Sequence, residues 1–184
     1  MSRALLIIDY SNDFIDDDGA LTCGKAGQAL DPILTELIET AAAQGDYLFI
    51  CNDEHDPHDL CDPERKLFPP HNVRDTWGAE LYGTTGAAAR RLLHEQPERV
   101  FYLPKRRYSA FVGTPLAQML RAHGVDMLTV AGCCTDICVL HTVISAVYEG
   151  FAVTVPAAAC ATIMPYGQEW ALDHMKNCLG VTVV

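Results

Sequence analysis

An alternation of two patterns constrains this chain more than any other feature. Short, β-rich apolar runs recur at Ala4–Ile8, Tyr47–Cys51, Val100–Leu103, Met127–Ala131, Ala152–Val155 and Val181–Val184, with stretches of helical spacing between them. Most of these runs are continuously hydrophobic, the pattern of strands covered on both faces. The helical stretches carry their own punctuation. Asp31-Pro32 reads as an N-cap and a first-turn proline, Leu30, Ile33, Leu34, Leu37 and Ile38 share one stripe, and Gly45 stops it. Thr84–Glu95, Pro115–His123, Asp136–Glu149 and Tyr166–Asn177 read in the same way. Strand alternating with helix predicts an α/β fold with a mostly parallel six-stranded sheet, helices on both faces and Rossmann-like winding.

Composition narrows the rest. A chain of 184 residues, 49% hydrophobic and 20% charged, has the size of one domain, taken here as residues 1–184, and ample material for a core. Thirteen Lys and Arg against 24 Asp and Glu give a net charge of −11. That balance argues against nucleic acid or an anionic membrane as partner. No apolar window approaches the roughly 18 residues of a membrane span. The first apolar run is only Ala4–Ile8, followed by Asp9, too short for a secretory signal. A cytoplasmic location is therefore expected, and with it eight reduced cysteines rather than a disulfide framework.

In open parallel sheets, ligands bind beyond the carboxyl ends of the strands. The first run ends at Asp9, the second leads into Asn52-Asp53-Glu54-His55, the third into Pro104-Lys105, and the fourth into Gly132-Cys133-Cys134-Thr135-Asp136-Ile137-Cys138. A carboxylate, a set of metal-type donors, a lysine and a cysteine thus reach one rim. With Thr135 or Asp136 as N-cap, Cys138 falls in the first turn of a helix, where the positive end of the dipole favours thiolate. The backbone N–H groups of that turn can receive an oxyanion. Asp9 can exchange a proton with the thiol, and Lys105 can hold both partners in their charged forms. Taken singly, these residues have ordinary explanations as a turn carboxylate, a surface lysine and a packed thiol.

The long irregular stretch Asn52–Gly83 is rich in Asp, His and Pro, and a loop of that length in a compact domain is usually functional. Asp53, His55, Glu64 and His71 form a donor set suited to one divalent metal ion, zinc, manganese or iron, better than to magnesium or calcium. Asp56 and His58 read as solvated neighbours.

The segments Ile8-Asp9-Tyr10-Ser11-Asn12-Asp13-Phe14, Asn52-Asp53-Glu54-His55, Lys66-Leu67-Phe68-Pro69-Pro70-His71, Lys105 to Phe111 and Gly132 to Val139 together resemble the nicotinamidases of the isochorismatase-like cysteine hydrolases. The match runs through nearly the whole chain. It implies the isochorismatase-like fold, with Asp9, Lys105 and Cys138 as catalytic triad. It also implies Asp53, His55 and His71 as metal ligands, with Glu64 as the fourth ligand of some members. Phe14, Phe68 and Tyr108 are the implied counterparts of the aromatic residues that flank the substrate ring. A cis peptide is implied at Cys133–Cys134, and an oxyanion hole made by the Cys134 and Cys138 N–H groups. The implied reaction converts nicotinamide to nicotinate and ammonia through a cysteine thioester, in NAD salvage. Because the family often forms dimers or larger assemblies, a homo-oligomer stays open. Two departures stand out: thiols at Cys133 and Cys134 where small or apolar residues are usual, and Asn72 where many members carry cysteine. Two other readings compete, namely a sister hydrolase acting on another small amide or carbamoyl compound, and a thiol-based redox sensor or metal store.

Overall fold

The computed structural model describes residues 2–164 and 166–184. Its strands are β1 (Ser2–Ile8), β2 (Tyr47–Asp53), β3 (Val100–Lys105), β4 (Val125–Cys133), β5 (Ala152–Val155), β6 (Cys160–Ala161) and β7 (Thr182–Val183). Its α-helices are α1 (Asn12–Ile15), α2 (Gly24–Gln28), α3 (Asp31–Gln44), α4 (Gly83–Glu95), α5 (Leu116–Ala122), α6 (Leu140–Tyr148) and α7 (Gly167–Leu179). The strands form one sheet in the order β3-β2-β1-β4-β5-β7, with β6 beside the end of β4. Every pairing among them is parallel. The sheet thus has seven strands rather than six. The additional one is a two-residue pairing of Gly132 and Cys133 with Cys160 and Ala161, too short to leave a hydrophobic pattern.

Two cores flank the sheet because successive strand residues point to opposite faces. Along β1, Ala4, Leu6 and Ile8 join the core shared with α5, α6 and α7. Leu5 and Ile7 join the core shared with α1, α3 and α4. This two-sided burial is the cause of the continuous apolar runs.

Two helix starts differ from expectation. Leu30, not Asp31, holds the N-cap position of α3. The Asp31 carboxylate instead accepts hydrogen bonds from the N–H groups of Thr84 and Thr85, each at 2.9 Å, and so caps α4 from another helix. The stretch expected to run as one helix from Asp136 begins with a π-helical turn, Thr135–Val139, and becomes α-helical at Leu140.

Candidate active site and metal centre

Register brings the candidate residues to one rim. Ile8 pairs with Cys51 on one side and Gly132 on the other, and Asp53 pairs directly with Lys105. The chain winds from β1 through β2 to β3 on one side and then crosses to β4 on the other, so the rim between β1 and β4 is the topological switch point.

Asp9 has a left-handed backbone, φ 50°, which aspartate tolerates better than most residues. One carboxylate oxygen accepts the Asp53 N–H at 2.7 Å, and the other lies 2.7 Å from Lys105 Nζ. Lys105 is fully buried. Its ammonium also lies 2.7 Å from Asp53 Oδ1 and donates to the Arg107 carbonyl at 3.2 Å. Burial opposes its charge, but Asp53 and Asp9 together hold it well above the usual lysine range. Burial pushes the Asp9 carboxyl up to about 7, reinforced by Asp53 and opposed by Lys105. For Asp53 the balance goes the other way: against burial, Lys105 and His55 hold it below the usual range.

Cys138 lies in the π-helical turn, its Sγ within 4.8 Å of carboxylate oxygens of both Asp9 and Asp53. Burial pushes this thiol well above the usual cysteine value, and Lys105 only partly offsets it. The expected thiolate is therefore corrected to a resting thiol. Burial outweighs the helix start, and the two carboxylates disfavour a third negative charge. Neither Thr135 nor Asp136 caps the turn. Thr135 Oγ1 donates to Gln168 at 2.6 Å and Asp136 accepts from Thr162, ties that fix the turn to the chain around α7.

The approach to this turn is crowded. A Cβ on Gly132 (φ 122°) would stand 2.1 Å from the Ile8 carbonyl oxygen, so only glycine fits there. The Cys133–Cys134 peptide is cis. Cys134 Sγ is 3.7 Å from Cys23 Sγ, a neighbour 111 residues away. Contacts among these thiols, together with burial, hold Cys23 and Cys134 well above the usual range. Such protonated, buried thiols are poor redox sensors.

Asp53, His55, Glu64 and His71 are all buried, and their donor atoms lie within 4.8 Å of one another. Glu64 Oε2 is 3.6 Å from His71 Nε2 and 3.8 Å from His55 Nε2, which is 3.7 Å from Asp53 Oδ2. Among the described residues, Asp53 Oδ2, His55 Nε2, Glu64 Oε1 and His71 Nε2 have no hydrogen-bond partner. Orphaned polar atoms are costly in a protein interior, and the inward-facing donors of these four residues fit a divalent cation. The outer nitrogens are committed. His55 Nδ1 donates to Asp62 Oδ2 at 2.8 Å and His71 Nδ1 to the Pro69 carbonyl at 2.9 Å. That arrangement fixes each tautomer so that Nε2 offers its lone pair inward. Burial opposes protonation of His55, but Asp53, with Glu64 and Asp62 behind it, raises it to about 9. A cation seated there would replace that proton. Asp56 and His58 lie outside the cluster, where Asp56 accepts the His58 N–H at 2.9 Å in a surface turn.

Cys138 and the donors Glu64 and His71 line one small cavity, with Phe14, Phe68, Tyr108 and Cys134. Leu21 and Ile137 complete its wall. Sequence reasoning passed over these two, as it did Asp62, whose carboxylate serves His55 and also accepts the Glu64 N–H at 2.9 Å. The only local signal for Asp62 was an acidic residue two positions before Glu64.

A doubly wound α/β sheet with a buried Asp–Lys–Cys group beside a two-His, two-carboxylate cluster defines a class of hydrolase-like proteins. Within that class, the isochorismatase domain matches residues 3–184, and the chain belongs to that family. It is 43% identical to the isochorismatase family protein PncA of Bacillus subtilis over 100% of this chain and 99% of that one. The crystal structure of nicotinamidase/pyrazinamidase PncA from B. subtilis superposes with a TM-score of 0.95, covering 100% of both chains. The nicotinamidase/pyrazinamidase of Mycobacterium tuberculosis is 32% identical over 95% of each chain. The pyrazinamidase of Pyrococcus horikoshii in complex with zinc has a TM-score of 0.85 at 30% identity, covering 100% of this chain and 99% of that one.

Proposed function

We propose that this protein is a nicotinamidase, hydrolysing nicotinamide to nicotinate and ammonia in the salvage of NAD. One observation carries the reading: an aromatic-walled cavity is lined both by Cys138 and by the metal-type donors Glu64 and His71. A cavity of that kind suits a flat heteroaromatic ring bearing a carboxamide. The full-length relatives named as nicotinamidases support the same assignment.

In this scheme Asp9, ionised and held by Lys105, takes the thiol proton as Cys138 Sγ attacks the amide carbon. The oxyanion accepts hydrogen bonds from the Cys134 and Cys138 N–H groups. Asp9 returns the proton to nitrogen, the C–N bond breaks and ammonia leaves a thioester on Cys138. Asp9 then takes a proton from water, whose oxygen displaces the sulfur to give nicotinate and restores the thiol. Lys105 keeps its proton throughout. Its charge opposes the burial that raises Asp9 to about 7, so the ionised form that accepts the thiol proton is present from near neutral pH upward. Phe14, Phe68 and Tyr108 hold the ring. A divalent ion held by Asp53, His55, Glu64 and His71 supplies a Lewis-acid anchor for the pyridine nitrogen. The donor set suits zinc, with manganese and iron as its competitors. Eight unpaired cysteines and the absence, among the described residues, of a helix long and apolar enough to cross a membrane support a cytoplasmic setting.

The test is ammonia release from nicotinamide by purified protein, with elemental analysis of the same sample. Release with about one equivalent of divalent metal is expected. Release from a carbamoyl compound but none from nicotinamide would transfer the assignment to the sister hydrolases.

A further inference from the structure

Asn72 lies outside both clusters, yet it is fully buried and has a left-handed backbone, φ 43°. Every polar group of this residue is committed. Its N–H donates to Asp13 Oδ2 at 2.7 Å, and its carbonyl accepts the His55 N–H at 2.9 Å. Its side-chain oxygen accepts from Ser11 Oγ at 2.8 Å, and its side-chain nitrogen donates to the Asp53 carbonyl at 3.3 Å. His71 is its chain neighbour. One residue therefore touches the backbone of Asp53 and of His55, and is bonded to His71, three of the four donors. Its own anchors, Ser11 and Asp13, belong to the segment leaving β1. Asp13 is wedged in turn, since a Cβ on Gly78 would fall 2.0 Å from its carboxylate.

Asp53 ends β2, whereas His55, Glu64 and His71 come from separate stretches of the long connection that follows, which has little regular structure. Donor atoms on such a loop stay converged only if something ties the stretches together. We propose that Asn72 is the positioning residue of the divalent-cation site, binding no metal itself but fixing the spacing of Asp53, His55 and His71. The inference rests on the metal-dependent reading above.

The experiment is zinc affinity of the full-length, metal-stripped protein, measured by competition with a chromogenic chelator. Asn72→Gly keeps the left-handed backbone accessible while deleting both side-chain bonds. It should raise the zinc Kd about 10- to 100-fold, the usual size of an outer-shell loss. At saturating zinc its kcat should return to near the wild-type value. Ser11→Ala, which removes one bond and leaves Asn72 in place, should weaken zinc several-fold. It also keeps the test decisive if the glycine variant does not fold. Leu92→Ala, a cavity in the distant core against α4, should lower Tm and leave the Kd unchanged. A wild-type Kd in both Asn72→Gly and Ser11→Ala, or equal weakening by Leu92→Ala, would overturn the positioning role while leaving the metal reading intact. Wild-type protein that binds no zinc, manganese or iron would overturn both.

Discussion

Two groups of buried charges stand side by side, share Asp53, and differ in what neutralises them. Around Cys138, the cation is built into the chain: Lys105 sits 2.7 Å from both Asp9 and Asp53. Around His55 and His71, four donor atoms face inward with no partner among the described residues. The first group carries its own counter-ion, whereas the second presents donors that fit an added cation. The contrast is between a built-in cation and a donor set open to an added one, on one sheet edge. Asp53 divides its two oxygens between them.

Removing the internal cation should have the largest effect. Lys105→Met leaves Asp9 and Asp53 buried without compensation, and about 3–5 kcal/mol of stability should be lost in denaturant unfolding, together with measurable turnover. Unchanged stability would mean that the two carboxylates do not depend on Lys105. Stripping the metal should spare the fold and strike binding. KM for nicotinamide should rise steeply with a smaller change in kcat, and zinc at 100 times its Kd should restore about 2.7 kcal/mol in thermal unfolding. An unchanged KM after verified removal would contradict the anchoring role. Asp62→Ala frees His55 Nδ1 and should weaken zinc about tenfold, checked by the same chelator competition, while leaving Cys138 chemistry intact at saturating metal.

The pH profile separates the groups differently. Asp9 must be ionised to accept the thiol proton, and burial has raised it to about 7. The kcat/KM should therefore fall about tenfold per pH unit below that point. Because the folded-state value lies above the ordinary 3.8, the stability from this group is fully present below pH 3.8. It is lost as pH rises through about 7. A flat rate profile between pH 5 and 8 would remove Asp9 from the scheme. Outside both groups, Asp31→Ala should cost only about 1 kcal/mol through the lost cap of α4, with kcat/KM unchanged. It sets the scale for a purely structural carboxylate.

How much of this was legible depends on how far each feature reaches along the chain. Asp9, Asp53, Lys105 and the Cys133–Cys138 segment announce themselves because a parallel sheet delivers strand ends to one rim, and strand ends can be read locally. His71, Glu64 and His55 could be grouped by donor type. Asp62 and Asn72 could not, because their roles exist only once the loop has closed on itself. The same holds for Cys23 against Cys134 and for Asp31 capping a helix that starts at Gly83. The thiolate expectation failed for a related reason. A helix start is visible in sequence, but the burial that outweighs it is not.

The most direct test of the account is the turnover of Cys138→Ala, measured as ammonia released from nicotinamide by protein verified to be folded and loaded with zinc. The account predicts intact metal binding with no detectable release. Ammonia at the wild-type rate would contradict it.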